Sequence, residues 1–235
     1  MEHQWLFPTS INEAKRIQEE LAQRVLLSDL FQKPISYVAG LDVSNNRFDP
    51  HKMVYATAVV LSYPDLIPVE IASSAEKQPF PYVSGLLGFR EAPALINALN
   101  QLSFRPDVLL VDGHGVSHPR QLGIASHLGV LLDIPTIGVA KSILVGSPLG
   151  TLGEECGSQI PLIWKGKEIA SLLRTKKKCN PLIISAGHKI CLESAVSLVL
   201  GCLKGYRLAE PTRRAHLAAN ALRIGHMAQL NNTQI

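Results

Sequence analysis

Apolar residues recur along this chain with two different periods, and these periods predict the order of its helices and strands. The segment 14–25 carries apolar residues on one helical face, and Ser10 and Glu13 before it have the spacing of a capping box. Three segments of strand-like composition follow, at residues 37–43, 53–61 and 67–72. Because their connections are short, we predict that they form an antiparallel meander.

Beyond residue 90 the pattern alternates between helix and strand. A helix that begins at Glu91 is followed by a strand at 108–111, a helix at 123–131 and a strand at 136–139. Such alternation is typical of parallel strands joined by helices. We therefore predict an α/β fold whose mixed sheet, an antiparallel meander followed by parallel strands, is flanked by helices. The remaining predicted elements are a hairpin at 160–173, a strand at 182–185 and a helix at 192–203.

The composition fits one domain with a large core. Of the 235 residues, 46% are hydrophobic and only 18% are charged, so the chain has enough apolar side chains to fill a single core. We predict a single domain over residues 1–235, with an ordered core at 10–228 and a disordered tail at 229–235.

Charge and cysteine content narrow the partners and the compartment. The net charge of +4 permits an anionic partner such as nucleic acid without requiring one. The four cysteines include no CxxC pair, so neither a zinc site nor a disulfide framework is predicted. The sequence shows no secretion signal and no apolar run of about 18 residues. These features predict a cytoplasmic protein in a reducing environment, with no membrane partner.

Three acidic residues lie at positions that indicate a metal site. Asp42 interrupts the apolar run of the first strand, and Asp112 directly follows the strand at 108–111, where open α/β sheets bind ligands. Two structural explanations stay open, because Asp112 could cap the next helix and Glu91 could simply begin one. If the first strand is central, the three carboxylates converge. Hard oxygen ligands of this kind suit Mg²⁺ or Mn²⁺, and two such ions about 4 Å apart promote phosphodiester hydrolysis.

Two further segments carry candidate contacts for an anionic partner. Pro79 and Pro81 predict a rigid, exposed loop that carries Tyr82. A downstream basic run forms either a solvated loop or a phosphate-contacting patch, and it consists of Arg174, Lys176, Lys177 and Lys178. A second basic cluster consists of Arg207, Arg213, Arg214 and His216.

Five sequence motifs in a fixed order resemble those of the endonuclease V family. They lie at residues 40–44 (GLDVS), 81–91 (PYVSGLLGFRE), 111–115 (VDGHG), 117–120 (SHPR) and 138–141 (GVAK). The resemblance continues at 179–182 (CNPL), 187–188 (GH), 205–207 (GYR) and 210–213 (EPTR), and it covers residues 10–216.

This resemblance implies a ribonuclease H-like fold and a nuclease for DNA repair. In the family, the enzyme recognises deaminated adenine (deoxyinosine) in damaged DNA and hydrolyses the second phosphodiester bond on its 3′ side. The resemblance implies Mg²⁺ as the cofactor, with Mn²⁺ as an alternative. Asp42, Glu91 and Asp112 match the metal-binding catalytic acids, and His216 matches a further position near the metal.

The resemblance also implies roles for residues in the loops. Tyr82 would be the wedge that fills the base stack when the lesion is flipped out of the duplex. Lys141 would stabilise charge at the scissile phosphate, unless it only extends its ammonium group to solvent. The predicted base pocket consists of Gly85, Gly113, Gly115 and His118, although an isolated histidine is often only a hydrogen-bonded structural residue.

Two other functions stay open at this point. A non-catalytic reader of inosine would bind without needing the three acids. A ribonuclease H-like enzyme with another target, such as a junction resolvase or an RNA nuclease, is the second possibility. The wedge and glycine motifs oppose the resolvase, but no residue separates DNA from inosine-containing RNA.

Overall fold

The computed structural model describes residues 5–31, 34–46, 49 and 51–232, and it describes side chains as far as residue 226. Within these residues the chain forms α1 (Ile11–Ala22), β1 (Tyr37–Asn45), β2 (Met53–Ser62), β3 (Pro68–Lys77), α2 (Leu87–Leu99), β4 (Val108–Val111), α3 (Ile124–Leu132), β5 (Thr136–Ala140), β6 (Ser147–Pro148), β7 (Gln159–Trp164), β8 (Lys167–Leu173), β9 (Leu182–His188), α4 (Leu192–Gly201) and α5 (Glu210–Asn232).

The described strands form one sheet in the order β3-β2-β1-β4-β5-β9-β8-β7-β6. The first three strands are an antiparallel meander, and β1, β4 and β5 run parallel to one another. β9 then pairs antiparallel with β5, and the β7–β8 hairpin extends the sheet beyond it. The predicted mixed sheet is therefore confirmed, and β1 lies next to β4 as the metal-site hypothesis requires.

The sheet separates two apolar layers, because alternate residues of each strand face opposite sides. Leu109 and Val111 of β4 pack with residues of α2 and α3, whereas Val108 and Leu110 pack with residues of α4 and α5. Burial on both faces explains why β4 is a continuous apolar run. In the described part of the chain, no helix combines the length and apolarity needed to cross a bilayer.

α1 supports the loop that precedes α2. Its N-terminus is capped as predicted, since the Glu13 amide donates to Ser10 Oγ at 3.1 Å. In a capping box the Glu13 carboxylate would accept a hydrogen bond from the Ser10 amide. Here it accepts one from the amide of the preceding residue, Thr9, at 2.6 Å. Ile17 and Leu21 are buried against Phe80, Leu86 and Leu122, which fixes both ends of the 81–85 loop against the helix.

α5 crosses β1 at a contact that only glycine permits. A Cβ at Gly40 would lie 2.0 Å from the carbonyl oxygen of Pro211, so any larger residue would push the helix away. Further along the same face of β1, Asp42 contacts His216 and Ser44 contacts Asn220. The close approach at Gly40 therefore places α5 beside the acidic end of β1.

Several boundaries differ from the sequence-based predictions, including the end of β3 at Lys77 where residue 72 was predicted, and α5 was not predicted at all. α2 begins at Leu87, four residues early, because its N-cap Leu86 makes no side-chain capping bond that a sequence would reveal. Glu91 therefore lies in the second turn, so helix initiation does not explain it. α5 extends to Asn232, so residues 229–232 are helical where a disordered tail was predicted, and residues 233–235 lie outside the described residues.

Candidate active site

Asp42, Asp112 and His216 converge where β1 and β4 lie side by side. Leu41 is paired with Val111, and the Asp112 amide donates to the Leu41 carbonyl at 2.9 Å, which aligns the two aspartates. One ligand atom from each of Asp42, Asp112 and His216 lies within 4.8 Å of the other two. This group of three contains two of the predicted acids and the predicted histidine.

The two aspartates are held close together under partial burial. Burial raises the pKa of Asp42 to about 6, and the negative charge of Asp112 raises it as well. Hydrogen bonds from His216 Nδ1 at 2.7 Å and from the Val43 amide at 2.8 Å act in the opposite direction. Mutual repulsion of this kind makes the site favourable for a cation.

Glu91 is buried in the second turn of α2 and faces the same site. Burial raises the pKa of Glu91 to about 8, with smaller contributions from the charges of Asp42 and Asp112. The neighbouring Arg90 guanidinium opposes these effects. Glu91 is not a member of the three-ligand group found among the described residues, so its role as a ligand stays a prediction.

Lys141 contacts one of the aspartates directly. It follows β5, and its ammonium group forms an ion pair with Asp112 Oδ2. The Arg207 guanidinium donates to the Lys141 carbonyl at 3.1 Å and to the Pro181 carbonyl at 3.3 Å, which fixes the backbone there. Lys141 is thus engaged at the acidic site, although 37% of its side chain is accessible.

The predicted proline-rich loop presents Tyr82 from a fixed base. Tyr82 is 72% exposed, and its ring centroid lies 5.5 Å from the guanidinium carbon of Arg90. At the end of the loop, the Gly85 carbonyl accepts hydrogen bonds of 3.0 Å from Gln18, His118 and Arg120. Three donors on one carbonyl hold the loop in place while the aromatic tip remains accessible.

A cavity of about 240 Å³ lies beside this loop. Its lining includes Gly85, Gly113 and His118 from the predicted base pocket, together with Tyr82. Gly115 does not line it. A Cβ at Gly115 would lie 2.1 Å from the Ala186 carbonyl oxygen, so this glycine serves the packing of its turn against β9. Polar lining residues that the sequence analysis did not identify as site residues include Gln18, His114 and Ser142.

Both histidines of this cavity are neutral at physiological pH. The Arg120 amide donates to His118 Nδ1 at 3.2 Å, so the ring proton of His118 is on Nε2 and is donated to the Gly85 carbonyl. Burial lowers the pKa of His118 to about 4, and it lowers the pKa of His114 to about 4. His118 therefore acts here as a fixed hydrogen-bond donor that braces the Tyr82 loop.

The basic run is only partly free to contact an anion. The Arg174 guanidinium donates to the carbonyls of Gly153 and Cys179, and Lys177 pairs with Glu155. The side chains of Lys176 and Lys178 are exposed. Arg174 therefore holds the local loops together, and the role of the run in phosphate binding stays a prediction.

The sequence analysis also missed a residue behind the acidic site. Asn220 lies one helical turn after His216 on α5, and its amide nitrogen is 3.1 Å from His216 Nε2. The four-residue spacing would have indicated this neighbour, because such residues share one face of a helix.

The chain is similar over nearly its whole length to proteins named endonuclease V. The sequence model of the Endonuclease V family matches residues 19–217. The endonuclease V of Protochlamydia amoebophila is 56% identical over 220 residues, which are 93% of this chain and 93% of that protein.

Solved structures agree with this result. The crystal structure of endonuclease V from Streptomyces avermitilis has a TM-score of 0.87 and 39% identity, and the match covers 94% of this chain and 96% of that one. The Ciona intestinalis endonuclease V, in complex with a 24mer DNA containing an inosine followed by a ribo-adenosine, has a TM-score of 0.79 and 32% identity, covering 92% and 98%. The ribonuclease H-like fold implied by the motifs is thereby confirmed. The chain belongs to the endonuclease V family and is a nuclease that hydrolyses phosphodiester bonds.

Proposed function

We propose that this protein is a Mg²⁺-dependent DNA repair endonuclease that recognises deoxyinosine. It hydrolyses the second phosphodiester bond on the 3′ side of the lesion and leaves the lesion in the nicked strand. The observation that carries this proposal is the convergence of Asp42, Asp112 and His216, within a chain that belongs to the endonuclease V family. The inosine-containing DNA bound by the Ciona intestinalis relative supports the substrate class.

The donor set fits a hard divalent cation. Carboxylate oxygens are the ligands that Mg²⁺ prefers. Because one oxygen of Asp42 and one oxygen of Asp112 already lie within 4.8 Å of each other, a small approach of these two carboxylates would complete a site. The ion would supply Lewis-acid stabilisation of the negative charge on the phosphodiester group. Mn²⁺ is an alternative occupant of the same oxygen-rich site.

The chain's own residues would then divide the work. Asp42 and Asp112 hold the cation, and Glu91 adds a third carboxylate on the side of α2. Lys141 would stabilise negative charge at the scissile phosphate, and its ion pair with Asp112 supports this role. His216 supports the carboxylate of Asp42, to which it is hydrogen-bonded.

Recognition of the base would use the loop and the cavity beside it. Tyr82, exposed on a fixed loop, fills the gap that the flipped base leaves in the duplex. The cavity lined by Gly85, Gly113 and His118 receives the base, because glycines leave room for backbone donors and acceptors. Gly115 contributes indirectly, because it lets its turn pack closely against β9. The exposed Lys176 and Lys178 contact phosphates together with Lys177 and Arg174.

A second candidate activity is cleavage of inosine-containing RNA. The Ciona intestinalis relative is in complex with a DNA that contains an inosine followed by a ribo-adenosine, and this ribonucleotide supports the second candidate. The four free cysteines support our proposal that the protein works in the reducing cytoplasm.

A matched set of oligonucleotides tests both candidates. Strands of one sequence would carry deoxyinosine or deoxyadenosine, followed by either a deoxynucleotide or a ribonucleotide. Products mapped on a denaturing gel should show Mg²⁺-dependent cleavage one linkage beyond inosine and none with EDTA. Cleavage that requires the ribonucleotide would replace the DNA proposal by the RNA one, and binding without cleavage of any strand would favour the inosine reader.

A further inference from the structure

Four hydrogen bonds form a chain from α5 to the acidic site. Arg223 Nε donates to Ser44 Oγ at 2.9 Å, and Ser44 Oγ donates to Asn220 Oδ1 at 2.7 Å. Asn220 Nδ2 then lies 3.1 Å from His216 Nε2, and His216 Nδ1 lies 2.7 Å from Asp42 Oδ2. The chain runs from α5 to β1, back to Asn220 and His216 of α5, and then to β1 again, on the face of β1 that α5 covers.

Both ends of this chain fix the direction of its hydrogen bonds. A guanidinium group can only donate, so Ser44 Oγ accepts from Arg223 and gives its own proton to Asn220 Oδ1. The amide nitrogen of Asn220 also can only donate, so His216 Nε2 must accept and carry no proton. The ring proton is therefore on Nδ1, where the carboxylate of Asp42 accepts it.

We infer that Asn220 and Ser44 are positioning residues that hold His216 as a hydrogen-bond donor to Asp42. In this tautomer Nδ1 carries a proton, so His216 acts on the site by orienting Asp42 Oδ2 and does not offer Nδ1 to a cation. The Val43 amide holds Oδ1 at 2.8 Å in the same way. Each carboxylate oxygen of Asp42 thus accepts one hydrogen bond from the protein. These bonds fix the orientation of the carboxylate, which directs the remaining lone pairs toward Asp112 and the cation site.

The tautomer can be measured without substrate or metal. In protein labelled with ¹⁵N-histidine, long-range proton–nitrogen spectra distinguish protonated from unprotonated ring nitrogens, and His216→Gln identifies the relevant signals. We expect Nδ1 of His216 to be protonated and Nε2 to be unprotonated in the wild-type protein. Asn220→Asp replaces the donor with an acceptor, so Nε2 should gain a proton. A wild-type Nε2–H tautomer, or an unchanged Nε2 in Asn220→Asp, overturns the inference.

Cation affinity provides the second readout. Outer-shell partners of this kind typically change metal affinity by 10- to 100-fold, so Asn220→Leu and Ser44→Ala should each weaken binding of Mn²⁺ by about 10-fold. The free ion can be counted by electron paramagnetic resonance. In nicking assays at one subsaturating Mg²⁺ concentration and varied DNA, kcat should fall while KM for DNA stays unchanged, because neither residue lines the cavity beside Tyr82. Unchanged Mn²⁺ affinity in both folded variants contradicts the inference.

A matched control separates this effect from a general change in α5. Ala221→Asp adds the same charge one residue later on an exposed position of the helix, and it should leave the His216 tautomer unchanged. The link to catalysis rests on the proposed function, but the tautomer and Mn²⁺ measurements do not. Absence of inosine cleavage by the wild-type protein would therefore refute the proposed function alone, whereas a wrong tautomer would refute this inference alone.

Discussion

The buried carboxyl group of Glu91 makes a direct prediction about stability and pH. Its pKa is raised from an ordinary value of 4.5 to about 8, chiefly by burial. The folded state therefore keeps a proton on Glu91 that the unfolded chain releases above pH 4.5. The contribution of this proton to the stability of the fold is fully present below pH 4.5 and is lost as the pH rises from 4.5 through 8. Glu91→Gln keeps the shape of the protonated side chain and removes the titration.

The size of the effect follows from the two pKa values. A pKa difference of one unit corresponds to about 1.4 kcal/mol. The contribution of Glu91 to the free energy of unfolding therefore falls by about 3 kcal/mol between pH 4 and pH 7, and by about 5 kcal/mol between pH 4 and pH 9. Relative to wild type, Glu91→Gln should thus be nearly equal in stability at pH 4.5 and more stable at pH 8. Titrating groups that do not interact with Glu91 are the same in both proteins and cancel in the difference, and the interactions of Glu91 with Asp42 and Asp112 contribute less than its burial does.

Urea unfolding at several pH values, with EDTA present, measures this difference. Glu154→Gln serves as a control, because Glu154 is exposed and its replacement should leave the pH dependence unchanged. Added Mg²⁺ should shrink the gap between wild type and Glu91→Gln, since a cation at Asp42 and Asp112 favours the charged form of Glu91. If Glu91→Gln follows wild type at every pH, or is less stable throughout, Glu91 is not a buried acid facing the site.

Three further predictions concern the loop, the basic run and a pair of glycines. Tyr82→Ala should leave the melting temperature nearly unchanged, because the side chain is 72% exposed. It should also weaken binding to inosine in duplex DNA by about 5- to 150-fold, because the lost stacking contributes about 1–3 kcal/mol. The loss should be smaller on single strands, and equal losses on both substrates would exclude a wedge. Neutralising Lys176, Lys177 and Lys178 should flatten the salt dependence of DNA binding by up to about 0.9 in the log–log slope per lost phosphate contact, whereas neutralising the exposed Lys15 should not. Gly115→Ala should lower the melting temperature, because its Cβ would lie 2.1 Å from the Ala186 carbonyl. Gly225→Ala, in open space on α5, should raise stability by about 1 kcal/mol, and the reverse order would refute the packing argument.

The sheet was predictable because its strands differ in the number of faces they bury. β4 and β5 are buried on both faces, and Thr136 is the one residue of these two strands with a polar side chain. The short connections of the first three strands indicated a meander. Asp42 could be recognised because a carboxylate inside an apolar strand has few structural explanations. The start of α2 could not be found, because Leu86 caps it without a side-chain hydrogen bond.

The polar network behind the site was not predictable from local patterns. Asn220 and Ser44 are 176 positions apart, and their contact exists only because α5 lies on β1 at Gly40. The basic run was harder to interpret for a similar reason. Its composition favours phosphate binding, but the tertiary structure uses Arg174 to hold the carbonyls of Gly153 and Cys179.

The measurement that tests the central claim most directly is single-turnover cleavage of inosine-containing duplex DNA across a Mg²⁺ titration. The wild-type protein, Asp42→Asn and Asp112→Asn would be compared, with thermal melts to show that each variant is folded. We predict that both variants lose cleavage at every Mg²⁺ concentration while still binding the inosine duplex, because the carboxylates hold the cation and the Tyr82 loop holds the base. Cleavage at near wild-type rates by either folded variant would contradict the assignment of Asp42 and Asp112 as the metal centre.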